Sequence, residues 1–255
     1  MAAPESIPGL PGANDRVAAA SYRARLLTGG SIATRFSHRG RVGRSRSILG
    51  ERTFDLAADA GAADGWYLRE LLQSGTARRG VAIEIDPAMN AVGAERSVGM
   101  DLEFFEPGDP QLSAFTGRCD LVTCLETLEH VDDPAAVIAH VFELARPGGT
   151  VLVSVPIEVG PSVLAKQTGR WLANRKGDYR YERYTARELV DASVRWRPPR
   201  TRVNLHSHKG FDYRAIEPLL EAGAYQIRRE FSPFPLAGKV LASTVFWLIE
   251  TPPAP

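Results

Sequence analysis

From residue 52 to residue 156 the chain alternates short apolar runs with helix-forming stretches, and beyond residue 224 it adds two strand-like runs joined by a short link. Residues 53–58, 81–85, 121–124 and 150–155 read as buried strands. Helical stretches opened by Gly65, by Pro87 and by Asp133–Pro134 lie between them. Such alternation predicts a mostly parallel sheet with helices on both faces. Residues 213–224 then read as a helix, and 225–231 and 243–250 as two further strands. The link over residues 232–242 suits an antiparallel hairpin but is too short for a βαβ crossover. The expected fold is therefore α/β: a Rossmann-like doubly wound sheet, mostly parallel, closed by an antiparallel C-terminal hairpin strand.

The 255 residues, 44% of them hydrophobic and 24% charged, suffice for one large domain with a real core, which excludes wholesale disorder. We divide the chain into a basic N-terminal extension, residues 1–50, and a main domain, residues 51–255, in which 157–212 form a substrate-side insertion or lid. Residues 15–27 could make a short amphipathic helix. Residues 29–46, rich in Gly, Ser and Arg, are expected to be a loop or a mobile segment.

The formal net charge of +1 conceals a strong sorting. Residues 1–50 carry 8 basic and 2 acidic side chains, 51–160 carry 7 and 19, and 161–255 carry 16 and 9, giving +6, −12 and +7. An acidic middle is flanked by a basic head and tail, so overall neutrality does not exclude an anionic partner. Cys119 and Cys124 have no metal-ligand spacing around them, and no metal is expected. With no signal-peptide pattern at the start and no apolar stretch of membrane-spanning length, the expectation is a soluble, cytoplasmic protein with no membrane span.

The first candidate site is the turn after the first strand, Asp55-Leu-Ala-Ala-Asp59-Ala-Gly61-Ala-Ala63-Asp-Gly65. A strand running through such a turn into a helix aims backbone N–H groups and a positive helix end at a ligand. Two registers compete. Anchoring on Asp55 leaves a single real glycine, whereas anchoring on Asp59 uses Gly61, Ala63 and Gly65 and puts Gly65 directly before the helix. The second register also places Glu84 at the end of the second strand, 19 residues after Gly65. That is near the roughly 20-residue separation at which an acid meets a ribose hydroxyl. We adopt the second register, although Asp55 then lies awkwardly inside a strand.

Together with Val81-Ala-Ile-Glu84-Ile-Asp86-Pro87, Leu125-Glu-Thr-Leu-Glu129-His130-Val and Arg146-Pro-Gly-Gly149, this turn resembles class I S-adenosylmethionine-dependent methyltransferases. The match is to the broad group with a Leu-Glu-His-Val segment after the fourth strand, and it covers residues 50–156. The resemblance implies S-adenosylmethionine as cofactor. Asp59 and the turn Gly61, Ala63 and Gly65 would hold its methionine end, and Glu84 both ribose hydroxyls. Ile85 would pack on the adenine. An acid after the third strand would meet the adenine amino group; Asp101, followed by Leu102, fits that motif, with Asp109 as the rival. Leu125 and Glu126 would lie beside the sulfonium. Ala63 departs from the family's usual glycine.

A methyl-transfer site aligns nucleophile, methyl and sulfur, and removes a proton where the acceptor needs it. His130, just beyond the fourth strand, is the candidate catalytic base, against a purely loop-fixing role. His206 and His208 could line the acceptor pocket. The insertion interleaves Arg170, Trp171, Arg175, Lys176, Tyr179, Arg180, Tyr181, Arg183 and Tyr184, a mix that suits rings and anionic groups or a solvated basic helix face. The resulting expectation is methyl transfer to an oxygen of a small-molecule or glycan acceptor, anionic acceptors included. A nucleic-acid methyltransferase and a non-catalytic binding module that kept the fold are the alternatives.

Overall fold

The structure, a computed structural model, describes residues 32–174, 184–199 and 208–254. Its strands are β1 (Phe54–Ala60), β2 (Ala77–Ile83), β3 (Leu102–Phe105), β4 (Cys119–Leu125), β5 (Ala145–Pro156), β6 (Gln226–Ser232) and β7 (Thr244–Glu250). They form one seven-stranded sheet in the order β3-β2-β1-β4-β5-β7-β6. The pairs β1–β2, β2–β3, β1–β4 and β4–β5 are parallel, while β7 runs antiparallel between β5 and β6. The expected hairpin is present, formed by β6 and β7, and β7 lies inside the sheet between β5 and β6.

Along the chain the helices are α1 (Ile32–Leu49), α2 (Trp66–Gln73), α3 (Pro87–Arg96), α4 (Pro134–Leu144), α5 (Ser162–Asn174), α6 (Ala186–Ser193), α7 (Glu217–Glu221) and α8 (Gly238–Leu241). Local chemistry fixes several starts. Asp86 and Asp133 cap α3 and α4 by accepting hydrogen bonds from Ala88 and Ala136, and a proline follows each cap where the missing N–H costs nothing. At α6, Thr185 and Glu188 close a reciprocal capping box. The stretch 213–224 divides into a 3-10 turn at Tyr213–Ala215 and the short α7.

The sheet buries both faces. Val81, Ile83, Val122, Cys124, Val151, Val153 and Trp247 pack on one side with Ile138, Val141 and Leu144 of α4. Ala57, Ala82, Leu121, Leu152 and Phe246 pack on the other with Leu68 and Leu71 of α2 and with Ile48 and Leu49 of α1. Alternation along each strand sends neighbouring residues into opposite clusters, as a doubly covered sheet requires.

Two expectations are corrected. Residues 29–46 were expected to be a loop, yet Ile32–Leu49 is helical. Gly and Ser lower intrinsic helix propensity by up to about 1 kcal/mol each, but packing outweighs it here. Ile48, Leu49 and Ser45 are buried, Arg44 pairs with Glu230 on β6, and Gly40 allows close approach, since a Cβ there would stand 3.1 Å from Pro233. The second concerns Asp101. It precedes β3 instead of following it, because β3 begins at Leu102, which pairs with Gly80 midway along β2. Asp55, the awkward residue of β1, is exposed and faces Arg78 at 3.1 Å. The helix expected over 15–27 lies outside the described residues.

Candidate functional site

In the strand order the chain reverses direction between β1 and β4, and the crevice at the carboxyl ends of these strands is where an open α/β sheet receives a ligand. The turn Gly61–Gly65 leaves β1 at that crevice. The Gly61 and Ala62 N–H groups donate to the Ile83 carbonyl of β2, and Gly65 N–H donates to Ala62. Gly61 has φ +82, and a Cβ there would overlap the Thr127 side chain at 2.3 Å. Gly65 has φ +67 at the start of α2, and a Cβ there would meet the Phe104 ring at 2.7 Å. Each glycine therefore answers both a left-handed backbone and a close neighbour.

Ala63 takes the same left-handed region, φ +50, which is unfavourable for a residue with a Cβ. Its N–H donates to Glu84 Oε2 at 2.8 Å, and Asp86 N–H donates to Glu84 Oε1 at 3.0 Å. The turn and the end of β2 are thus joined through one carboxylate. Asp64, fully buried, anchors the same turn through Arg96 at 2.9 Å and Arg69 at 3.3 Å.

Asp59 is 4% exposed and accepts the Thr123 hydroxyl at 2.6 Å. Burial pushes its carboxyl up to about 7; the Thr123 hydrogen bond works against this and the Glu84 charge adds to it. Around Asp59 a cleft opens, lined by Gly61, Ala62, Trp66, Tyr67 and Leu125 and, from α1, by Arg41, Val42 and Ser45. Trp66 is buried and its indole N–H has no hydrogen-bond partner. Arg41 lies 2.7 Å from Glu126, whose other oxygen accepts from Ser154 at 3.2 Å.

The structure thus brings together Asp59, Gly61, Ala63, Gly65, Glu84, Leu125 and Glu126. Ile85 follows β2 on the same edge and is 77% exposed. Asp101 and Leu102 stand at the opposite edge, where Asp101 pairs with Arg79 at 3.1 Å and Leu102 packs into the core. The acids that do follow β3 are Glu106 and Asp109, the latter capping a 3-10 turn through Gln111 N–H. Sequence reasoning missed Arg41, Trp66 and Tyr67. Arg41 carried no signal, being one arginine among several in a segment expected to be a loop.

Beyond β4, Leu128–His130 forms a 3-10 turn that buries Glu129 completely and leaves His130 at the surface. Burial, reinforced by Glu126, holds the Glu129 carboxyl well above the usual carboxylate range. His130 Nε2 lies 3.8 Å from Glu129 and 3.3 Å from His208 Nε2. His208 Nδ1 faces the buried Glu158 at 3.7 Å, and Lys166 Nζ donates to the same Glu158 oxygen at 3.0 Å. His206 and the residues of the basic aromatic insertion from Arg175 to Arg183 lie outside the described residues, as do the side chains of Arg170 and Trp171. Cys119 and Cys124 are buried and free; burial raises the Cys119 thiol to about 12, which suits inert core residues. Among the described residues no helix is long and apolar enough to cross a membrane.

A family model described as a methyltransferase domain matches residues 58–196, more than half of the chain. Among curated proteins, a ubiquinone biosynthesis O-methyltransferase of Pseudoalteromonas translucida is 34% identical over 97 residues, 38% of this chain and 41% of that protein. The chain matches between about two-fifths and one-half of the length of such relatives. Among solved structures, magnesium protoporphyrin IX methyltransferase from Synechocystis PCC 6803 with bound S-adenosyl-homocysteine superposes with a TM-score of 0.56 at 16% identity. That likeness covers 93% of this chain and 95% of that one. N-methyltransferase NodS from Bradyrhizobium japonicum WM9, also with S-adenosyl-homocysteine, gives 0.52 at 14% identity over 84% and 87%. At these identities the structures speak for a shared fold.

Proposed function

The chain belongs to the methyltransferase-domain family, class I and S-adenosylmethionine-dependent, and on that premise we propose that it transfers the methyl group to a hydroxyl oxygen of a small molecule. The observation that carries the cofactor reading is the junction of Glu84 with the Gly61–Gly65 turn through the Ala63 N–H. An ionised carboxylate has about four lone-pair positions. Two of those on Glu84 are taken by Ala63 and Asp86, which leaves two for the vicinal hydroxyls of a ribose.

The cleft suits the methionine end by charge. Asp59 supplies a partner for an ammonium, while Arg41 suits a carboxylate. Ile85 offers an exposed apolar side chain to the adenine face, and Asp109, with Glu106 beside it, replaces Asp101 as the acid for the adenine amino group. Leu125 and Glu126 flank the sulfonium. When bound, the cofactor supplies an already activated methyl group, so the protein's share is to align the acceptor and accept its proton. We assign that second task to the cluster around His130.

Residues 157–212 supply the acceptor side, as a lid on a domain that includes α1. Within it several described cations are engaged: Lys166 with Glu158, Arg195 with Asp191 and Lys209 with Glu188. That internal pairing favours a small hydroxylated acceptor over a polyanion such as nucleic acid or an anionic glycan. The name of the relatives, ubiquinone biosynthesis O-methyltransferase, points the same way. Two free buried thiols suit the reducing cytoplasm, where we place the protein.

Titration calorimetry with S-adenosylmethionine tests this reading. Glu84→Ala is expected to weaken binding at least several-fold. No binding by the unmodified chain at millimolar cofactor would overturn it, and the non-catalytic alternative would then stand.

A further inference from the structure

We propose that Glu129, His130 and His208 form a site for one divalent transition-metal cation, open on the acceptor side. The placement of the metal rests on these residues alone; its role toward the acceptor rests on the methyl-transfer reading above.

The three side chains come from two distant segments, yet one ligand atom from each lies within 4.8 Å of the others. The two imidazole Nε2 atoms are 3.3 Å apart, and His130 Nε2 is 3.8 Å from Glu129 Oε1. Ligand atoms about 2.0–2.2 Å from a tetrahedral cation sit roughly 3.3–3.6 Å from one another. The histidine pair already has that spacing, and the carboxylate needs only a small side-chain movement to complete it.

A hydrogen bond between the two imidazoles would account for their approach but not for Glu129. That residue is 0% exposed, and among the described residues neither of its carboxylate oxygens has a hydrogen-bond partner. A buried carboxylate without hydrogen bonds is costly, because it gives up hydration and gains no bond in return. A cation between Glu129 and the histidines removes that cost.

His208 is also held from behind. Its Nδ1 faces Glu158, itself 0% exposed and fixed by Lys166 at 3.0 Å. A carboxylate behind one imidazole nitrogen orients the other toward a metal and strengthens it as a ligand. Two neutral imidazoles with one carboxylate suit zinc, manganese or iron(II), and three protein ligands leave coordination open for a substrate oxygen.

His130 and His208 are partly exposed, so an acceptor can reach the open side. With the metal bound, the cluster acts on the acceptor's proton through the cation and not through His130 as base: the cation would hold the acceptor hydroxyl and lower its pKa, and the proton would leave to solvent. The freed oxygen electron pair forms the new O–CH3 bond as the C–S bond breaks, and that bonding pair returns to sulfur to leave the neutral thioether.

The test uses the full chain, stripped with chelator and titrated with cobalt(II) chloride while the visible d–d absorption is followed. One cobalt per chain is expected. His208→Ala and Glu129→Gln should each weaken it at least about ten-fold, while His140→Ala on α4 should change nothing. Should Glu129→Gln fail to fold by thermal melting, His208→Ala, at a partly exposed position, carries the test. Absence of the band, or a band that survives His208→Ala, overturns the site. S-adenosylmethionine calorimetry on the same samples separates the two readings. Cofactor binding without cobalt removes only the metal site, and cobalt binding that obeys the variants without cofactor binding removes only the methyl-transfer reading.

Discussion

Asp59→Asn is the substitution whose effect can be worked furthest from the structure. In the cofactor-free chain the buried Asp59 carboxyl is raised from 3.8 to about 7. Between those values the folded chain holds a proton that the unfolded chain has released, so stability falls as pH rises. The contribution is fully present below pH ~4 and is lost as pH climbs through about 7. A shift of roughly three units corresponds to about 4 kcal/mol lost by pH 8. Asparagine keeps the shape and an acceptor for the Thr123 hydroxyl without ever ionising. Urea melts at pH 5 and pH 8 should therefore show wild type losing roughly 2.5–3 kcal/mol relative to the variant, the part of the total that falls above pH 5. The same ionisation serves the ligand. A cationic ammonium beside Asp59 favours the charged carboxylate, so cofactor binding at pH 7 should release about half a proton, seen as a buffer-dependent binding enthalpy. The variant should release none and bind at least about ten-fold more weakly. Parallel pH–stability curves for the two proteins would refute the assignment of the ionisation to Asp59.

Other outcomes follow from the turn and its neighbours. Gly65→Ala should destabilise the fold by more than about 1 kcal/mol, read by urea melts, because it adds left-handed strain to a 2.7 Å approach to Phe104. Ala63→Gly, by contrast, removes left-handed strain and should leave stability unchanged or raise it by up to about 1 kcal/mol, with cofactor affinity retained. Asp109→Ala should weaken cofactor binding in calorimetry, whereas Asp101→Ala, at the far edge of the sheet, should leave it unaltered. Arg41→Met should raise the cofactor dissociation constant several-fold, since Arg41 lines the cleft beside Asp59, and should lower the melting temperature, since the largely buried Glu126 loses its cation.

How much of this was legible in the sequence depended on the range of the interactions involved. The strands and the Asp59-anchored turn follow from local patterns: alternation, glycine at the left-handed positions 61 and 65, and an aspartate capping α3 and α4. Asp55 looked wrong for a buried strand because hydropathy does not reveal that the foot of β1 projects into solvent. Asp101 was misplaced because β3 is only four residues long, and its position is set by pairing with β2 rather than by its own composition. Helix α1 was hidden for the opposite reason. Its glycines and arginines argue against a helix in isolation, and contacts far along the chain, with Pro233, Glu230 and the core that takes Ile48 and Leu49, make it favourable. The cluster at Glu129 joins residues separated by the whole insertion, and no spacing rule connects them.

The position of β7 has a consequence for how the chain is made. It pairs with β5 on one side and β6 on the other, and its residues from Thr244 to Ile249 are buried. During synthesis at roughly 5–20 residues per second, β1 to β5 leave the ribosome well before β7. For those seconds Thr150–Val155, apolar and β-branched, would present an unpaired edge of the kind that recruits foreign strands. Nor can β6 protect it, because β6 has no partner in the sheet except β7. The nascent protein therefore passes through an aggregation-prone interval that ends only when residue 250 emerges, and chaperone dependence should concentrate in that interval.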